Sequence, residues 1–490
     1  MLEEHREDIG INHKKNEDFS EWFTEVINKT ELSDIRYNVK GFIVFRPWSV
    51  LSMEEMYKLF EEELQKRGHL PVWFPAVIPE ENFEKEAKHV EGFTPEVFWV
   101  TEAGDKKLNK RLALRPTSET AMYSMYSIWI RSWRDLPLKL YQRAQVWRYE
   151  TKATRPFIRS REFYWIEAHD AFATKEEAEK QVKEDMEITE KVMHQKFGIP
   201  FIFMKRPEWD KFAGAVYTFA ADSLMPDGKI IQLPSTHLLG QNFSKPFEIK
   251  FVDKDEKEKY VWQTCYGPCI SRIFASVVAL HGDDKGLRFP FCIAPVQVII
   301  IPIGAEKNKK VMEVCKELKD RLVQAGLRVW IDDSENTPGW KFNQWEMKGV
   351  PIRLEVGPKE AEGGFVTLVR RDTGEKKRVS VEILAETIRK EGEELSENLK
   401  KQNDEFFKDK IRDAKTWEEL KREISKGGFI RIPFCSTGMD GLACAEKIKE
   451  ELHGDVRGER ADKEEKPSEG EKCLVCGRKA KSIVYVGRQY

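Results

Sequence analysis

The first part of the chain alternates between helical and strand-like hydrophobic patterns. Apolar residues recur every three to four positions in Ser52–Lys66 and Glu176–Phe197, which predicts helices. Short apolar runs between turn residues predict strands at Phe42–Phe45, at Val72–Pro75 and through residues 110–170 and 230–300. Because few helices separate these strands, we expect an α+β domain on an antiparallel sheet, over residues 1–290.

The pattern changes after Ala294–Pro295. Strand, helix, strand and strand are predicted in turn at Val298–Ile301, Lys310–Ala325, Leu327–Ile331 and Ile352–Val356. This order is typical of a small α/β domain, which we assign to residues 291–395. Residues 390–426 read as a charged helix, and the remaining chain is poor in apolar residues but carries cysteines. We expect a third, small α+β domain over residues 396–490.

Composition narrows the class of protein. The 490 residues are 40% hydrophobic and 34% charged, which excludes a disordered chain. The longest apolar stretch, Ile293–Ile303, contains two prolines and is too short to span a membrane. The N-terminus is charged and lacks a secretory signal, so we expect a cytoplasmic location. A net charge of −2 does not indicate a strongly basic nucleic-acid binder.

Two arginines lie near glutamates in strand-like sequence, at Arg148–Glu150 and Arg159–Glu162. On a strand, Arg148 and Glu150 would share one face. A guanidinium group offers paired donors that match phosphate oxygens. The alternative interpretation is a surface strand with ion pairs to its neighbour.

Two other segments are ambiguous when taken alone. Thr117, Ser118 and Glu119 follow a proline, and a hydroxyl beside a carboxylate can hold a ligand ammonium group. Equally, Thr117 or Ser118 can cap a helix that begins at Glu119. Arg272 precedes the apolar helix predicted at Ile273–Leu280, where it can contact phosphate or belong to an ordinary helix start.

Together these segments resemble class II aminoacyl-tRNA synthetases, and within them the prolyl-tRNA synthetases of the archaeal and eukaryotic type. The resemblance covers nearly the whole chain and is carried by Arg115–Glu119, Trp147–Glu150, Arg159–Phe163, Gly240–Phe243, His281–Leu287 and Gly487–Tyr490. It implies that proline and ATP, with Mg²⁺, form prolyl-adenylate, and that proline passes to the 3′ end of tRNA(Pro).

The resemblance also assigns roles. Arg148 would grip the α-phosphate and the proline carboxylate, Arg272 would hold the γ-phosphate, and both are the expected catalytic residues. The proline pocket would comprise Thr117, Glu119, Arg148, Phe163, Trp165, His169, Phe212 and His237. ATP would contact Arg148, Glu150, Arg159, Gln232, Ser235 and Arg272. The sequence departs from the family pattern at Gln232–Ser235 and in the loop before Arg272, which appears one residue longer.

Further expectations follow from the resemblance. About one hundred residues separate Asp170 from Gly267, which leaves no room for the editing insertion of bacterial relatives. Residues 291–395 would bind the anticodon through Arg353, Glu355 and Lys359, although Arg353 and Glu355 can equally form a strand-face ion pair. A basic segment from Arg370 to Arg378 would meet phosphates or remain solvated. Pro75 would lie at a homodimer interface, and Tyr490 would fold back toward the active site.

Four cysteines near the end of the chain suggest a metal site. Cys473 and Cys476 form a CxxCG turn, and with Cys435 and Cys444 they supply the four thiolates of a structural Zn²⁺ site. The alternative is free cysteines. The remaining cysteines, Cys265, Cys269, Cys292 and Cys315, lie in apolar or motif segments and are expected to be inert.

Two other functions remain open. One is another class IIa synthetase, for threonine, glycine or histidine. A threonine enzyme would carry a metal in its catalytic core, where the sequence reveals no suitable Cys/His set. The other is a non-catalytic paralogue, which would be expected to lack the phosphate-binding arginines; Arg148, Arg159 and Arg272 are all present.

Overall fold

The structure is a computed structural model that describes residues 10–89, 97–150 and 153–490. Its N-terminal elements include a short strand, Leu70–Pro71, which forms one edge of a large sheet. They are α1 (Phe19–Lys29), β1 (Ser33–Asp34), β2 (Val44–Phe45), α2 (Pro47–Lys66), β3 (Leu70–Pro71), β4 (Val77–Pro79), α3 (Glu80–His89), β5 (Phe98–Ala103), β6 (Lys106–Leu114) and α4 (Glu119–Trp129).

Two of these elements differ from the sequence prediction. Helix α2 begins at Pro47, one turn earlier than expected, because proline fits the first position of a helix, where no backbone N–H is needed. The strand predicted at Val72–Pro75 is wrong. The strand is instead β3, and residues 72–75 are held outside it, where the backbone N–H of Phe74 donates to Gln142 Oε1 at 3.0 Å.

The next elements build the antiparallel sheet that the sequence predicts. They are a 3₁₀ turn (Trp133–Asp135), β7 (Leu138–Trp147), β8 (Glu162–Phe172), α5 (Lys175–Thr189), a π-helical segment (Glu190–Lys196), β9 (Ile202–Lys205), β10 (Tyr217–Leu224), β11 (Ile230–Gly240), β12 (Lys250–Val252), β13 (Glu258–Tyr260), β14 (Trp262–Gly267), α6 (Ile270–His281) and a second 3₁₀ turn (Phe291–Ile293). The long helix predicted at Glu176–Phe197 is therefore α5 continued by the π-helical segment.

The sheet order in this region is β9-β10-β11-β14-β8-β7-β3, and only β3 pairs in parallel. Helices α1, α2 and α6 bury Trp22, Phe60 and Phe274 in the largest apolar core. Residues between β8 and β14 are used by α5 and by strands of the sheets, so the segment holds no inserted domain, in agreement with the sequence expectation.

The second region forms a separate five-stranded sheet with the order β16-β15-β17-β18-β19 within the described residues. Its elements are β15 (Val298–Pro302), α7 (Lys309–Gln324), β16 (Val329–Ile331), α8 (Pro338–Met347), β17 (Ile352–Val356), α9 (Pro358–Gly363), β18 (Phe365–Arg370), β19 (Lys376–Ser380) and α10 (Leu384–Asp409). Strands β16, β15 and β17 run parallel around a separate apolar core, as a small α/β region should.

The last region joins the first sheet. Its elements are β20 (Ile411–Asp413), α11 (Trp417–Ser425), β21 (Phe429–Phe434), a 3₁₀ turn (Met439–Gly441), α12 (Leu442–Leu452), β22 (Asp455–Arg460) and β23 (Ser482–Gly487). The single charged helix expected at 390–426 is wrong, because β20 interrupts it. Strand β22 pairs with β9, matching Glu459 to Lys205, so the two sheets are continuous.

Within the described ranges, no helix has both the length and the apolar character needed to cross a membrane.

Candidate active site

The residues expected to bind proline and ATP converge on a cavity of about 230 Å³ against β8, β11 and β14. The predicted residues that line it are Thr117, Glu119, Arg148, Phe163, Trp165, His169, Phe212, Gln232, Ser235, His237 and Arg272. Arg159 lines a neighbouring cavity, which shares Arg272 and Gln232 with the first. Glu150 lies beside it, with its carboxylate 3.9 Å from Arg159 Nε.

Arg148 lies just beyond the end of β7. The expectation that Arg148 and Glu150 share a strand face is therefore wrong, because the strand ends at Trp147 and the chain enters a loop. Arg148 Nε donates to the carbonyl of Pro116 at 3.1 Å. Burial and the nearby Arg272 lower the pKa of Arg148, and Glu119 opposes them. The guanidinium remains charged, and it is held close to a second cation.

Strand β8 supplies one wall of the cavity. Phe163, Trp165, Glu167 and His169 alternate along the strand and so project from one face. The guanidinium carbon of Arg148 lies 5.2 Å from the ring centre of Phe163 and 5.6 Å from that of Trp165. Aromatic faces attract cations at these distances, so the two rings help to hold the Arg148 guanidinium at the edge of the cavity.

The start of α4 supplies a carboxylate. The hydroxyl of Thr117 donates to the carboxylate of Glu119, the first residue of the helix. Ser118 occupies the N-cap position but makes no side-chain capping bond, because its hydroxyl donates to Glu167 instead. The capping role considered for these hydroxyls is therefore wrong, and both are committed to buried carboxylates.

Glu167 is a central residue that the sequence analysis missed. Its carboxylate accepts from the backbone N–H of Ser118 at 3.2 Å, from Gln142 Nε2 at 2.9 Å and from His169 Nε2 at 3.2 Å. Burial would raise its pKa, but His169, the hydroxyl of Ser118 and the charge of Arg115 hold the pKa below its ordinary value. The two-residue alternation that selects Phe163, Trp165 and His169 also selects Glu167, so the signal was present.

The two cavity histidines have opposite charge tendencies. Burial opposes protonation of His169, but Glu167 and Glu119 raise its pKa above the ordinary value. Burial lowers the pKa of His237 to about 3, so that ring is neutral. His237 pairs with Thr218 Oγ1 at 2.8 Å and with Ser235 Oγ at 3.0 Å, and its ring centre is 4.9 Å from that of Phe212. This side of the cavity therefore suits an uncharged ring.

The end of the cavity where the resemblance places ATP, called the nucleotide end below, is built around Arg272 in the first turn of α6. Arg272 Nη1 donates to the carbonyl of Gln232 at 3.1 Å, and its Nε donates to that of Ile158 at 3.4 Å. Gln232 and Ser235 lie on β11, where Ser235 pairs with Gly267 of β14. Despite the departures from the family pattern, both side chains line the cavity.

The sequence argument found no Cys/His set in the catalytic core, and this is wrong as stated. Ligand atoms of Glu119, His169 and Cys265 lie within 4.8 Å of one another. The register causes this, since β14 brings Cys265 opposite His169 on β8. Both ring nitrogens of His169 already have partners, Tyr123 and Glu167. Burial also raises the pKa of Cys265 well above its usual value, which fits an inert thiol.

Comparison with known proteins identifies the family. Three family models match in order: the class II tRNA synthetase core domain (G, H, P, S and T) at residues 98–281, the anticodon binding domain at 297–391 and the C-terminal domain of prolyl-tRNA synthetase at 417–490. A proline–tRNA ligase of Thermofilum pendens is 55% identical over 485 residues, which is 98% of this chain and 99% of the relative. The chain belongs to the prolyl-tRNA synthetase family.

Other prolyl-tRNA synthetases are also similar to this chain over nearly its whole length. The proline–tRNA ligase of Pyrococcus abyssi is 45% identical, covering 97% of this chain and 98% of the relative. A solved structure of Giardia lamblia prolyl-tRNA synthetase with prolyl-adenylate superposes with a TM-score of 0.91 at 37% identity, covering 98% of this chain and 100% of that one. The Cryptosporidium parvum enzyme with halofuginone and AMPPNP also gives 0.91, at 35% identity, with the same coverage of both chains.

In the family's anticodon-binding region, the predicted residues differ in their exposure. Arg353 Nη2 lies 3.0 Å from Glu355 Oε1, and Lys376 Nζ lies 3.1 Å from Glu355 Oε2. The strand-face ion pair considered from the sequence is therefore present. Lys359 is exposed at the start of α9.

The basic segment of this region is not simply solvated. Arg370 and Arg371 are each only 7% exposed. Arg370 pairs with Asp372 at 2.8 Å, and Arg371 pairs with Asp283 of the first region at 2.6 Å. For these two arginines neither sequence alternative, phosphate contact or solvation, describes the structure, because carboxylates of the protein pair with both guanidinium groups.

Four cysteines of the last region meet as predicted. The sulfur atoms of Cys435, Cys444, Cys473 and Cys476 lie within 4.8 Å of one another. The distance between Cys435 Sγ and Cys444 Sγ is 3.7 Å, close to the edge of a tetrahedron with metal–sulfur bonds of about 2.3 Å. Burial opposes ionisation of Cys476, but hydrogen bonds from Arg478 lower its pKa to about 6. The donor set can hold a metal ion.

Tyr490 lies against the nucleotide end. Its backbone N–H donates to the carbonyl of Ile230 at 3.1 Å, and its hydroxyl donates to Asp227 Oδ2 at 2.7 Å. With Gln489 it lines the cavity that contains Arg159 and Arg272. The last residues therefore approach the site in the way that the family resemblance suggests.

Proposed function

We propose that the protein activates proline with ATP to form prolyl-adenylate and transfers proline to the 3′ end of tRNA(Pro). The observation that carries this proposal is the cavity itself, which Arg148, Arg272, the aromatic residues of β8 and Glu119 line together. Two cations and a carboxylate in one cavity match the charges of an amino acid that is joined to a nucleotide. Family membership gives the reaction and the substrate.

In the first step a carboxylate oxygen of proline attacks the α-phosphorus of ATP. The bond to the bridging oxygen breaks, and pyrophosphate leaves on the opposite side. Arg148 would hold the α-phosphate and the proline carboxylate in line, and Arg272, with Arg159 beside it, would take the charge that develops on pyrophosphate. Mg²⁺ would enter bound to ATP as part of the substrate.

The proline end provides selectivity. Glu119, held by Thr117, would accept hydrogen bonds from the secondary ammonium group, and neutral His237 with Phe212 would contact the ring. Glu150, Gln232 and Ser235 would contact the nucleotide. In the second step a terminal ribose hydroxyl of the tRNA attacks the carbonyl carbon of the adenylate, and AMP leaves.

The decisive experiment is amino-acid-dependent ATP–pyrophosphate exchange with each of the twenty amino acids. We expect proline to give the highest rate. We also expect measurable exchange with alanine or cysteine, since an apolar pocket discriminates by only about 10–200-fold per methylene. Strongest exchange with threonine, glycine or histidine would favour another class IIa enzyme, and no exchange with any amino acid would favour a non-catalytic paralogue.

Zn²⁺ is the proposed ion of the cysteine cluster, with a structural role. Four thiolates and no open ligand position are typical of closed structural zinc sites. Anticodon contacts by Arg353, Glu355 and Lys359 are also part of the proposal, as is a cytoplasmic location. The ion pair of Arg353 with Glu355 would then present a matched donor and acceptor to a guanine edge.

We further propose a homodimer. An apolar patch around Pro75 supports it: Trp73 is 89% exposed, Leu70 64% and Ile128 55%. The rings of Phe74 and Trp129, 5.8 Å apart, connect the two segments of the patch. Exposed apolar surface of this kind marks protein interfaces. Light scattering should give twice the chain mass, and Trp73→Asp should shift the protein to a monomer; a wild-type monomer at micromolar concentration would refute the proposal.

A further inference from the structure

A cluster of buried charges joins the C-terminal region to the catalytic sheet. Arg206 is 4% exposed, Asp222 0% and Arg457 2%. Arg206 donates to both oxygens of Asp222, at 2.8 and 2.6 Å, and Arg457 donates to the same two, at 2.8 and 3.2 Å. Two guanidinium groups therefore share the Asp222 carboxylate, while Asp210 Oδ2 lies farther away, 3.7 Å from Arg206 Nε and 3.8 Å from Arg457 Nη1.

Both arginines of the cluster also donate hydrogen bonds to Gln232 at the nucleotide end of the cavity. Gln232 Oε1 accepts from Arg206 Nη2 at 2.9 Å and from Arg457 Nη2 at 3.5 Å. Because arginine only donates hydrogen bonds, the amide atom that faces these groups must be the oxygen. The amide nitrogen of Gln232 is then on the other side, and Gln232 lines both cavities of the candidate site.

Gln232 is also connected through its backbone. Its carbonyl accepts from Arg272 Nη1 at 3.1 Å. Arg457 Nη1 donates to Gln489 Oε1 at 2.6 Å, and Gln489 lines the cavity beside Arg272. One buried side chain of the C-terminal region thus fixes two walls of the nucleotide end.

The backbone aims Arg457 at this position. Strand β22 has an irregular register between Val456 and Gly458. Gly458 has φ of +115°, and a Cβ there would lie 2.0 Å from the carbonyl oxygen of Lys205. Only glycine fits this close approach, and such bulges redirect the neighbouring side chain.

We propose that Arg457, together with Arg206, is a positioning residue for ATP. It fixes the side-chain amide of Gln232 so that the amide nitrogen donates to the nucleotide. The backbone carbonyl of Gln232 at the same time holds Arg272. This inference rests on the proposed function. It assigns the C-terminal region a part in adenylation, in addition to its metal site. A purely structural role for the cluster would stabilise the fold without a selective effect on ATP.

The first test is Arg457→Lys. Lysine keeps a charge for Asp222 but lacks the fork that reaches Gln232 and Gln489. In ATP–pyrophosphate exchange we expect KM for ATP to rise about tenfold, as for loss of a charged hydrogen bond. KM for proline should stay within about twofold. The control is Arg431→Lys, which alters an ion pair with Asp413 in the same region and should leave both constants unchanged.

A double-mutant cycle shows whether the effect passes through Gln232. In a Gln232→Ala background, Arg457→Lys should change KM for ATP by less than about twofold. The same tenfold change in both backgrounds would overturn the inference, and so would an unchanged KM in the single variant.

Gln232→Glu decides the question if Arg457→Lys fails to fold. A carboxylate would keep an oxygen toward both arginines, so the melting temperature should not fall, yet the donor to ATP is lost and KM for ATP should rise. An unchanged KM for ATP would overturn the inference. Wild-type enzyme without proline-dependent exchange would instead overturn the proposed function, so the two failures are distinguishable.

Discussion

The catalytic cavity and the cysteine cluster are both polar sites, but they are held together in different ways. In the cavity the side chains bind one another: Glu167 alone accepts from Ser118, Gln142 and His169. In the cluster four sulfur atoms surround a common centre, and Arg478 is the side chain that supports them, 3.3 Å from Cys476 Sγ and 3.5 Å from Cys435 Sγ. The side chains of the cavity are therefore held in place before a substrate binds, whereas the four cysteines would be held in place mainly by the proposed ion.

The largest expected effect tests the prebuilt cavity. Arg148→Lys keeps the charge but loses the planar fork, so exchange activity should fall by about 10²–10³-fold with little change in melting temperature. Arg143→Lys, on β7 shortly before Arg148 but paired with Glu61 outside the cavity, is the control and should retain activity. Equal losses of activity in the two variants would mean that any disturbance of β7 lowers the rate, and that the Arg148 side chain has no specific role.

The cysteine cluster, which we propose to depend on a bound Zn²⁺, should behave in the opposite way. Cys473→Ser should lose bound zinc, measured by elemental analysis, and should destabilise the C-terminal region by several kcal/mol, seen as a lower melting temperature. Cys292→Ser, outside the cluster, should keep the full zinc content. Zinc at wild-type content in Cys473→Ser would contradict the assigned ligands.

Arg478 offers a finer test of the same cluster. Arg478→Gln removes the cation beside two thiolates, and zinc affinity should fall by about 10–100-fold, measured by competition with a chromophoric chelator. The exposed neighbour Lys479 gives the matched control, Lys479→Ala, for which we expect wild-type affinity. If both variants bind zinc equally well, the ion alone organises the site.

The smallest effect is a pH dependence within the cavity. The pKa of His169 is raised above 6.5 and that of Glu167 is lowered below 4.5. Their pairing therefore stabilises wild type relative to Glu167→Gln most strongly between the two ordinary values, 4.5 and 6.5. The advantage is lost as pH rises through the pKa of His169, and as pH falls through that of Glu167.

Melting temperatures of both proteins between about pH 4 and 9 measure this difference. His237→Asn is the comparison, because His237 has the opposite shift, from 6.5 to a pKa of about 3. Its offset from wild type should be constant above about pH 7, and wild type should lose stability relative to His237→Asn as pH falls below 6.5, where only the unfolded chain takes up the proton. An offset for Glu167→Gln that does not change between about pH 6 and 9 would show that Glu167 does not hold a charge on His169.

The sequence predicts the antiparallel core, the α/β region and the cysteine cluster, because each leaves a local signal. Periodicity predicts α2 and β17, and the CxxCG turn identifies two of the four residues of the cysteine cluster. The sequence wrongly predicts that Arg148 lies on a strand, because a strand-like alternation continues in the residues after Trp147. In the structure the strand ends at Trp147.

Contacts between distant segments had no such signal. The pairing of β22 with β9 and the sharing of Asp222 by Arg206 and Arg457 join residues far apart in the chain. Cys265 reaches His169 only through strand register. Glu167 is different, since its position on β8 was predictable from alternation and only its chemistry was overlooked.

The contact of Tyr490 with Ile230 has a consequence for synthesis. The ribosome makes Ile230 long before residues 488–490, which lie beside it in the finished fold. Strand β9 likewise cannot pair with β22 until the residues of β22 have been made. A nascent chain can fold its early helices and strands, but the wall of the cavity beside Arg272 stays incomplete until Gln489 and Tyr490 have been made and have docked against Ile230.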